Sequence, residues 1–281
     1  MYISQIADNS LGGSTMNFDP IADDPVPDET YPATLAPVTF KSKGEQIIGV
    51  TLQAQGEGPH PTVVLLHGFP GNERNFDLAH IFRRAGWNVL VFHYRGSWGS
   101  QGSFSFTHVL EDVLSAVTFL RSKNTCELYH VNPQEIVLIG HSMGGFAALM
   151  TAANDPHIHA AASIAGFNMG YFVQNTVADD QALEVVTQFF EEGLPPLQGT
   201  SAEKLIQEAV SNAEPWNLLN YTEQLSSHSL LLIGGSRDET APIEMHHQPL
   251  VQALEHAQTL THAILDADHS FSDKRVTLAR K

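Results

Sequence analysis

Residues 135–150 read EIVLIGHSMGGFAALM. An apolar, β-prone run, Ile136-Val137-Leu138-Ile139, enters Gly140-His141-Ser142-Met143-Gly144-Gly145, and the alanine-rich helical pattern Phe146-Ala147-Ala148-Leu149-Met150 leaves it. Bare Gly-x-Ser-x-Gly is short enough to arise by chance. Set between a buried strand and a helix, it gains a physical meaning. The sharp turn forces the serine into a strained backbone conformation, and side chains at the flanking glycines would strike the neighbouring strand and helix. The hydroxyl is then presented above a sheet, over a helix N-terminus that stabilises developing negative charge. Ser142 is the candidate nucleophile.

The rest of the chain supplies the setting. Val38–Lys41 and Ile47–Ala54 read as an opening hairpin around Lys43-Gly44-Glu45. Strands at Thr62–His67 and Val89–Tyr94 alternate with helices at Phe76–Ala85 and Val109–Arg121, before the 136–139 strand and its helix. Ala160–Ala165 is a small-residue strand, after which the alternation breaks. Residues 167–222 contain no good strand but carry two amphipathic helices. One, at about 178–192, has Leu183, Val186, Phe189 and Phe190 on one side. The other follows the capping box Thr200-Ser201-Ala202-Glu203 and is expected to bury Leu205, Ile206, Ala209 and Val210. Alternation then resumes with a strand at Ser229–Ile233, a helix at Pro242–Ala257, a strand at Thr261–Leu265 and a closing helix at Phe271–Arg280. This order predicts an α/β protein with a mostly parallel sheet covered on both faces. Residues 1–36 are acidic and interrupted by Pro20, Pro25, Pro27 and Pro32, and read as a flexible or surface-lying arm.

Composition narrows the function. A formal charge of −17 over 281 residues argues against nucleic acid and anionic membrane surfaces. The single cysteine, Cys126, excludes an internal disulfide and cysteine-rich metal sites. No stretch reads as a signal peptide or a membrane span, so a cytoplasmic protein is expected. The fifteen histidines carry no metal-ligand spacing, with His246-His247 read as part of a surface helix. No metal or cofactor is expected, and the partner is a small-molecule ester or other acyl substrate. The chain is expected to be a monomer or a homodimer.

Two opening strands, six strands linked by helices, a helical insertion after the sixth and a Gly-x-Ser-x-Gly turn after the fifth resemble the α/β-hydrolase fold. The resemblance covers about residues 38–281. It implies an eight-stranded sheet, with a core at 37–166 and 223–281 and a helical cap at 167–222. In that family the acid and the histidine follow the serine in chain order, on loops after late strands. Asp238, in Gly234-Gly235-Ser236-Arg237-Asp238-Glu239-Thr240-Ala241-Pro242, fits the acid's place, with Glu239 as its rival. His269, in Asp266-Ala267-Asp268-His269-Ser270-Phe271, occupies the place of the base. Family members usually have a glycine where this chain has Asp268, a carboxylate that either tunes the imidazole or points into water. His141 is expected to pack beside the serine.

The resemblance also implies an oxyanion hole. His67-Gly68-Phe69-Pro70-Gly71 follows the third strand, so the backbone N–H groups of Phe69 and Met143 are the expected donors, each worth roughly 3 kcal/mol in the transition state. Tyr94-Arg95-Gly96-Ser97-Trp98-Gly99-Ser100 resembles the family's Arg-Gly-x-Gly-x-Ser loop. It is read as mainly structural, with Trp98 or Ser97 bordering the acyl site. Phe167, Met169, Tyr171, Phe172, Phe189, Phe190 and Trp216 either build the cap's own small core or line an apolar acyl pocket.

A serine nucleophile implies acyl transfer to water. The chain looks similar to small carboxylesterases, including the feruloyl and cinnamoyl esterase group. The alternatives are a peptidase like the prolyl-oligopeptidase group, which shares fold and motif, thioester or lactone cleavage, and a non-catalytic relative.

Overall fold

The computed structural model describes residues 18–176 and 178–281. Eight strands form one sheet in the order β1-β2-β4-β3-β5-β6-β7-β8. They are β1 (Thr34–Ser42), β2 (Glu45–Gln53), β3 (His60–Leu66), β4 (Asn88–Phe92), β5 (Val131–His141), β6 (Ala160–Ile164), β7 (Ser229–Gly235) and β8 (Thr259–Leu265). The β1–β2 and β2–β4 pairs are antiparallel and every other pair is parallel.

Period-two alternation divides the strand side chains between two cores. Val63, Leu65, Val89 and Val91 face the helix Phe76–Arg84 and the short closing helix Arg275–Ala279. Val64, Leu66, Leu90 and Phe92 face the helices Phe106–Arg121 and Met143–Asn154. Burial on both faces explains why these strands read as continuous apolar runs. The chain steps one way from β3 to β4 and the other way to β5, so β3 and β5 flank the point where the winding reverses. Ligand crevices of open α/β sheets form outside the carboxyl ends of such strands.

Several boundaries differ from the sequence reading, for identifiable reasons. The helix expected at 242–257 is two pieces, Ile243–His246 and Gln248–Ala253, because Pro249 supplies no N–H and crowds the preceding residue. The closing helix begins at Arg275 rather than Phe271, whose backbone is left-handed at φ 55. Among the described residues, the segment between β6 and β7 holds the helices Met169–Thr176, Asp180–Gly193 and Ala202–Ser211, then a 3-10 turn Leu218–Tyr221 and a one-turn helix Thr222–Leu225. In the third helix Leu205 and Ala209 are buried as expected, but Val210 is exposed. His246 and His247 are buried, correcting their placement on a surface helix. Of the acidic arm, residues 1–17 lie outside the described residues. The remainder lies on the surface and is tied down: Ile21 packs on the core, Arg84 Nε donates to the Pro20 carbonyl at 2.7 Å, and β1 already starts at Thr34.

The insertion is stitched to the core at its later half. Ser97 and Leu197 form a β-bridge, and the Trp98 N–H donates to the Pro196 carbonyl at 3.1 Å. Glu208 accepts from the N–H groups of Phe106 and Thr107, both at 2.9 Å, capping the helix that begins there. A carboxylate on two orphan donors at a helix N-terminus is a charge-assisted cap. Glu208→Ala should therefore cost about 1–2 kcal/mol of unfolding free energy, read from urea denaturation. An unchanged midpoint would show that the clamp contributes nothing.

Candidate active site

The turn after β5 has the geometry its sequence predicts. Ser142 sits at φ 56, ψ −121, a conformation that non-glycine residues rarely adopt, and its N–H is held by the Ile164 carbonyl at 2.9 Å. A Cβ on Gly140 would lie 1.9 Å from the Gly144 carbonyl oxygen, and one on Gly144 would lie 2.1 Å from the Leu66 oxygen. Both positions exclude any side chain. Met143 opens the following helix, so its N–H belongs to the first turn, where backbone donors lack intrahelical acceptors.

The loop after β3 closes against this turn. A Cβ on Gly68 would stand 2.8 Å from the Ser142 Cβ, which puts the Gly68-Phe69 segment directly beside the serine. His67 is fully enclosed and its Nδ1–H donates to the Gly68 carbonyl at 2.8 Å, while the Tyr94 hydroxyl donates to the His67 carbonyl at 3.0 Å. Burial drives the His67 pKa down to about 3, so the ring is neutral at physiological pH.

After β7 and β8 the acid and the histidine meet. His269 Nδ1–H donates to Asp238 Oδ2 at 2.7 Å, and Asp238 Oδ1 accepts from the N–H groups of Thr240 and Ala241 at 2.9 and 2.8 Å. Asp238, not Glu239, is thus the carboxylate that orients His269. The histidine's backbone is anchored to the serine turn, since His141 Nε2 bonds the His269 carbonyl at 2.8 Å. His141 packs beside the serine as expected, and burial lowers its pKa to about 4. Asp268 does not tune the imidazole by contact: it accepts from the Ser272 N–H at 2.7 Å and caps the turn after β8.

A cavity of about 230 Å³ opens above Ser142 and Met143. Of the residues expected in an acyl pocket, Phe167, Met169, Phe172, Phe189 and Phe190 line it, together with Phe69. Three expected residues lie elsewhere. Trp216 is a core residue edge-on to Phe106 and Phe146. Trp98 donates Nε1–H to the Pro70 carbonyl at 2.7 Å and carries the Arg74 guanidinium 4.4 Å over its ring, bracing the loop from outside. Tyr171 is absent from the lining, although Phe172 beside it on the same helix belongs to it. Ser97 is fully buried, its hydroxyl on the Tyr94 carbonyl, and Arg95 is locked between Glu111 and Asp112, so this loop is structural. The sequence reading missed Phe106, Val185, Val186, Glu239 and Thr240 in the lining. Val185 lies four residues before Phe189, a helical spacing that could have found it; nothing local marks Phe106, which arrives from a core helix. Among the described residues no cluster of three or more His, Cys, Asp or Glu is arranged to hold a metal ion.

Burial alone would raise the Asp238 pKa. The His269 bond and charge and the two backbone N–H groups outweigh it and hold the carboxyl below its ordinary value. A depressed carboxylate adds stability that is complete above its unfolded pKa of about 3.9 and is lost as pH falls through the folded value. The stability gap between wild type and Asp238→Asn, from urea titrations, should be full at about pH 5 and shrink below about pH 4. A gap that widens on acidification would contradict this.

The sequence matches the model of the alpha/beta hydrolase family over residues 63–280. The protein YfhR of Salmonella typhimurium is 32% identical over 119 residues, which are 41% of this chain and 39% of that protein. The chain thus spans well under half the length of that relative. Among solved structures, the acylaminoacyl peptidase of Pyrococcus horikoshii superposes with a TM-score of 0.68 at 16% identity, over 88% of this chain and 39% of the other. Est1E from Butyrivibrio proteoclasticus gives 0.65 at 15% identity, over 87% and 94% of the two chains. Among the described residues no helix is long and apolar enough to cross a membrane. The family model covers most of the chain, and the protein belongs to the alpha/beta hydrolase family.

Proposed function

We propose that the protein is a serine hydrolase that cleaves carboxylic esters of apolar or aromatic acids through an acyl-enzyme on Ser142. The observation that carries this reading is the strained Ser142 on the floor of an apolar cavity, with a hydrogen-bonded Asp238–His269 pair anchored to the same turn. Asp238 accepts the His269 Nδ1–H, which leaves Nε2 to act as the base. His269 takes the Ser142 proton as Oγ attacks the acyl carbon, and the oxyanion accepts hydrogen bonds from the Phe69 and Met143 N–H groups. His269 then protonates the departing alcohol, and water releases the acid by the reverse sequence.

The acyl group follows from the cavity. An engineered cavity of about 150 Å³ holds benzene. The space above Ser142, about 230 Å³, has room for an aromatic ring and a short linker, or for a medium-length alkyl chain. Its lining is apolar apart from Ser142, Glu239 and Thr240, which supports an uncharged acyl group over an anionic one. The helices Met169–Thr176, Asp180–Gly193 and Ala202–Ser211 act as a cap that keeps water from the acyl-enzyme.

Turnover of a short p-nitrophenyl ester tests the roles. Ser142→Ala should lower kcat by about 10⁶-fold. Asp238→Asn should lower it by about 10⁴-fold, because the imidazole loses its orienting acceptor. Both variants should remain folded. Near-wild-type rates in Ser142→Ala would refute the mechanism.

A further inference from the structure

His246 stands outside the machinery described so far, yet it packs directly on the cavity wall. It is 3% exposed, and burial pulls its pKa down to about 4. Its Nδ1 accepts the Asn168 N–H at 3.0 Å, so the ring proton resides on Nε2, which is buried without a hydrogen-bond partner. The flat faces of the ring serve another purpose. Phe167 stacks on it with centroids 4.2 Å apart at 29°, and Phe172 lies 6.0 Å away at 28°. Both phenylalanines line the cavity above Ser142. The Phe167 backbone is fixed to the nucleophile's own residue, its N–H donating to the Ser142 carbonyl at 3.2 Å.

Beyond His246 the packing leaves a small gap. A second cavity of about 10 Å³, with space for about one water, is bounded by His246, His247, Ser163, Gly166, Asn168 and Leu250. His247 Nε2 is, like His246 Nε2, buried and unpaired. The order from the substrate outward is therefore acyl cavity, Phe167, His246, void. The Phe167 main chain is tied to Ser142; of the two rings packed on its side chain, Phe172, with centroids 4.9 Å apart, itself lines the acyl cavity, and His246 stands on the side of the void.

Resting on the serine hydrolase reading above, we propose that His246 is the specificity-determining backstop of the acyl pocket: its imidazole holds Phe167 forward and so fixes the longest acyl group accepted. It acts by position and touches no reacting atom. Removing the ring lets Phe167 swing back toward the void, and the acyl pocket deepens.

The ring and its hydrogen bond can be separated. His246→Gln keeps an acceptor for the Asn168 N–H but has no ring. His246→Leu fills part of the volume with neither. His246→Phe keeps a ring and loses the acceptor. The readout is the ratio of kcat/KM for p-nitrophenyl octanoate to that for p-nitrophenyl butyrate, with folding checked by near-ultraviolet circular dichroism. Pocket discrimination of acyl length commonly spans about 10–200-fold. His246→Gln and His246→Leu should each raise the ratio about tenfold, while His246→Phe stays within about twofold of wild type. A purely structural role would depress both substrates together and leave the ratio flat. A flat ratio in a folded Gln or Leu variant, or a Phe variant that shifts as far as they do, overturns the proposal while the hydrolase reading stands. A wild-type protein that turns over neither ester overturns both.

Discussion

The site depends on one steric constraint: three backbones meet at the serine turn with no room for a side chain. Gly144 lies against the Leu66 carbonyl at the end of β3, Gly140 lies against Gly144, and Ser142 is pinned by the Ile164 carbonyl at the end of β6. The strain at Ser142 is held by the sheet on either side of it. The same closeness brings the Gly68-Phe69 segment to the serine. A looser turn would lose the placement of Ser142 and the loop's approach at once.

The histidine is tied to that constraint through a second route. His141, one residue before the serine, is kept neutral by burial and bonds the His269 carbonyl. Asp238 holds the other end of the same residue through the imidazole. His269 is thereby fixed by its main chain from the end of β5 and by its side chain from the loop after β7, a preorganisation that a loop residue would otherwise lack. The aromatic wall is similarly bound, with Phe167 bonded to Ser142 and stacked on His246. Changes at residues far from Ser142 in sequence, such as His246, therefore reach its pocket directly.

The sequence made the fold legible because strand order, the glycine-flanked serine and the late acidic and histidine loops are local signals set by backbone geometry. Asp238 and Glu239 stand side by side in the same glycine-led loop, where the sequence favours Asp238 and keeps Glu239 as its rival, and the structure pairs Asp238 with His269. The pocket was legible only in part. Phe167, Phe172, Phe189 and Phe190 declared themselves by composition, but Trp98, Tyr171 and Trp216 do not line the cavity, because an aromatic residue gives no local signal of which core it joins. Phe106 enters from a core helix and His246 ends the first piece of a proline-broken one. Both positions are decided by tertiary packing, which no periodicity records.

The central claim is that Ser142 attacks an acyl carbon while the Phe69 and Met143 amides hold the oxyanion. A crystal structure of the protein inactivated with an aryl phosphonate ester tests it most directly. The account predicts phosphorus bonded to Ser142 Oγ, with one phosphonyl oxygen about 2.7–3.1 Å from both backbone nitrogens. The organic substituent should lie among Phe69, Phe167 and Phe190. An adduct on another residue, or a phosphonyl oxygen turned away from both amides, would contradict it.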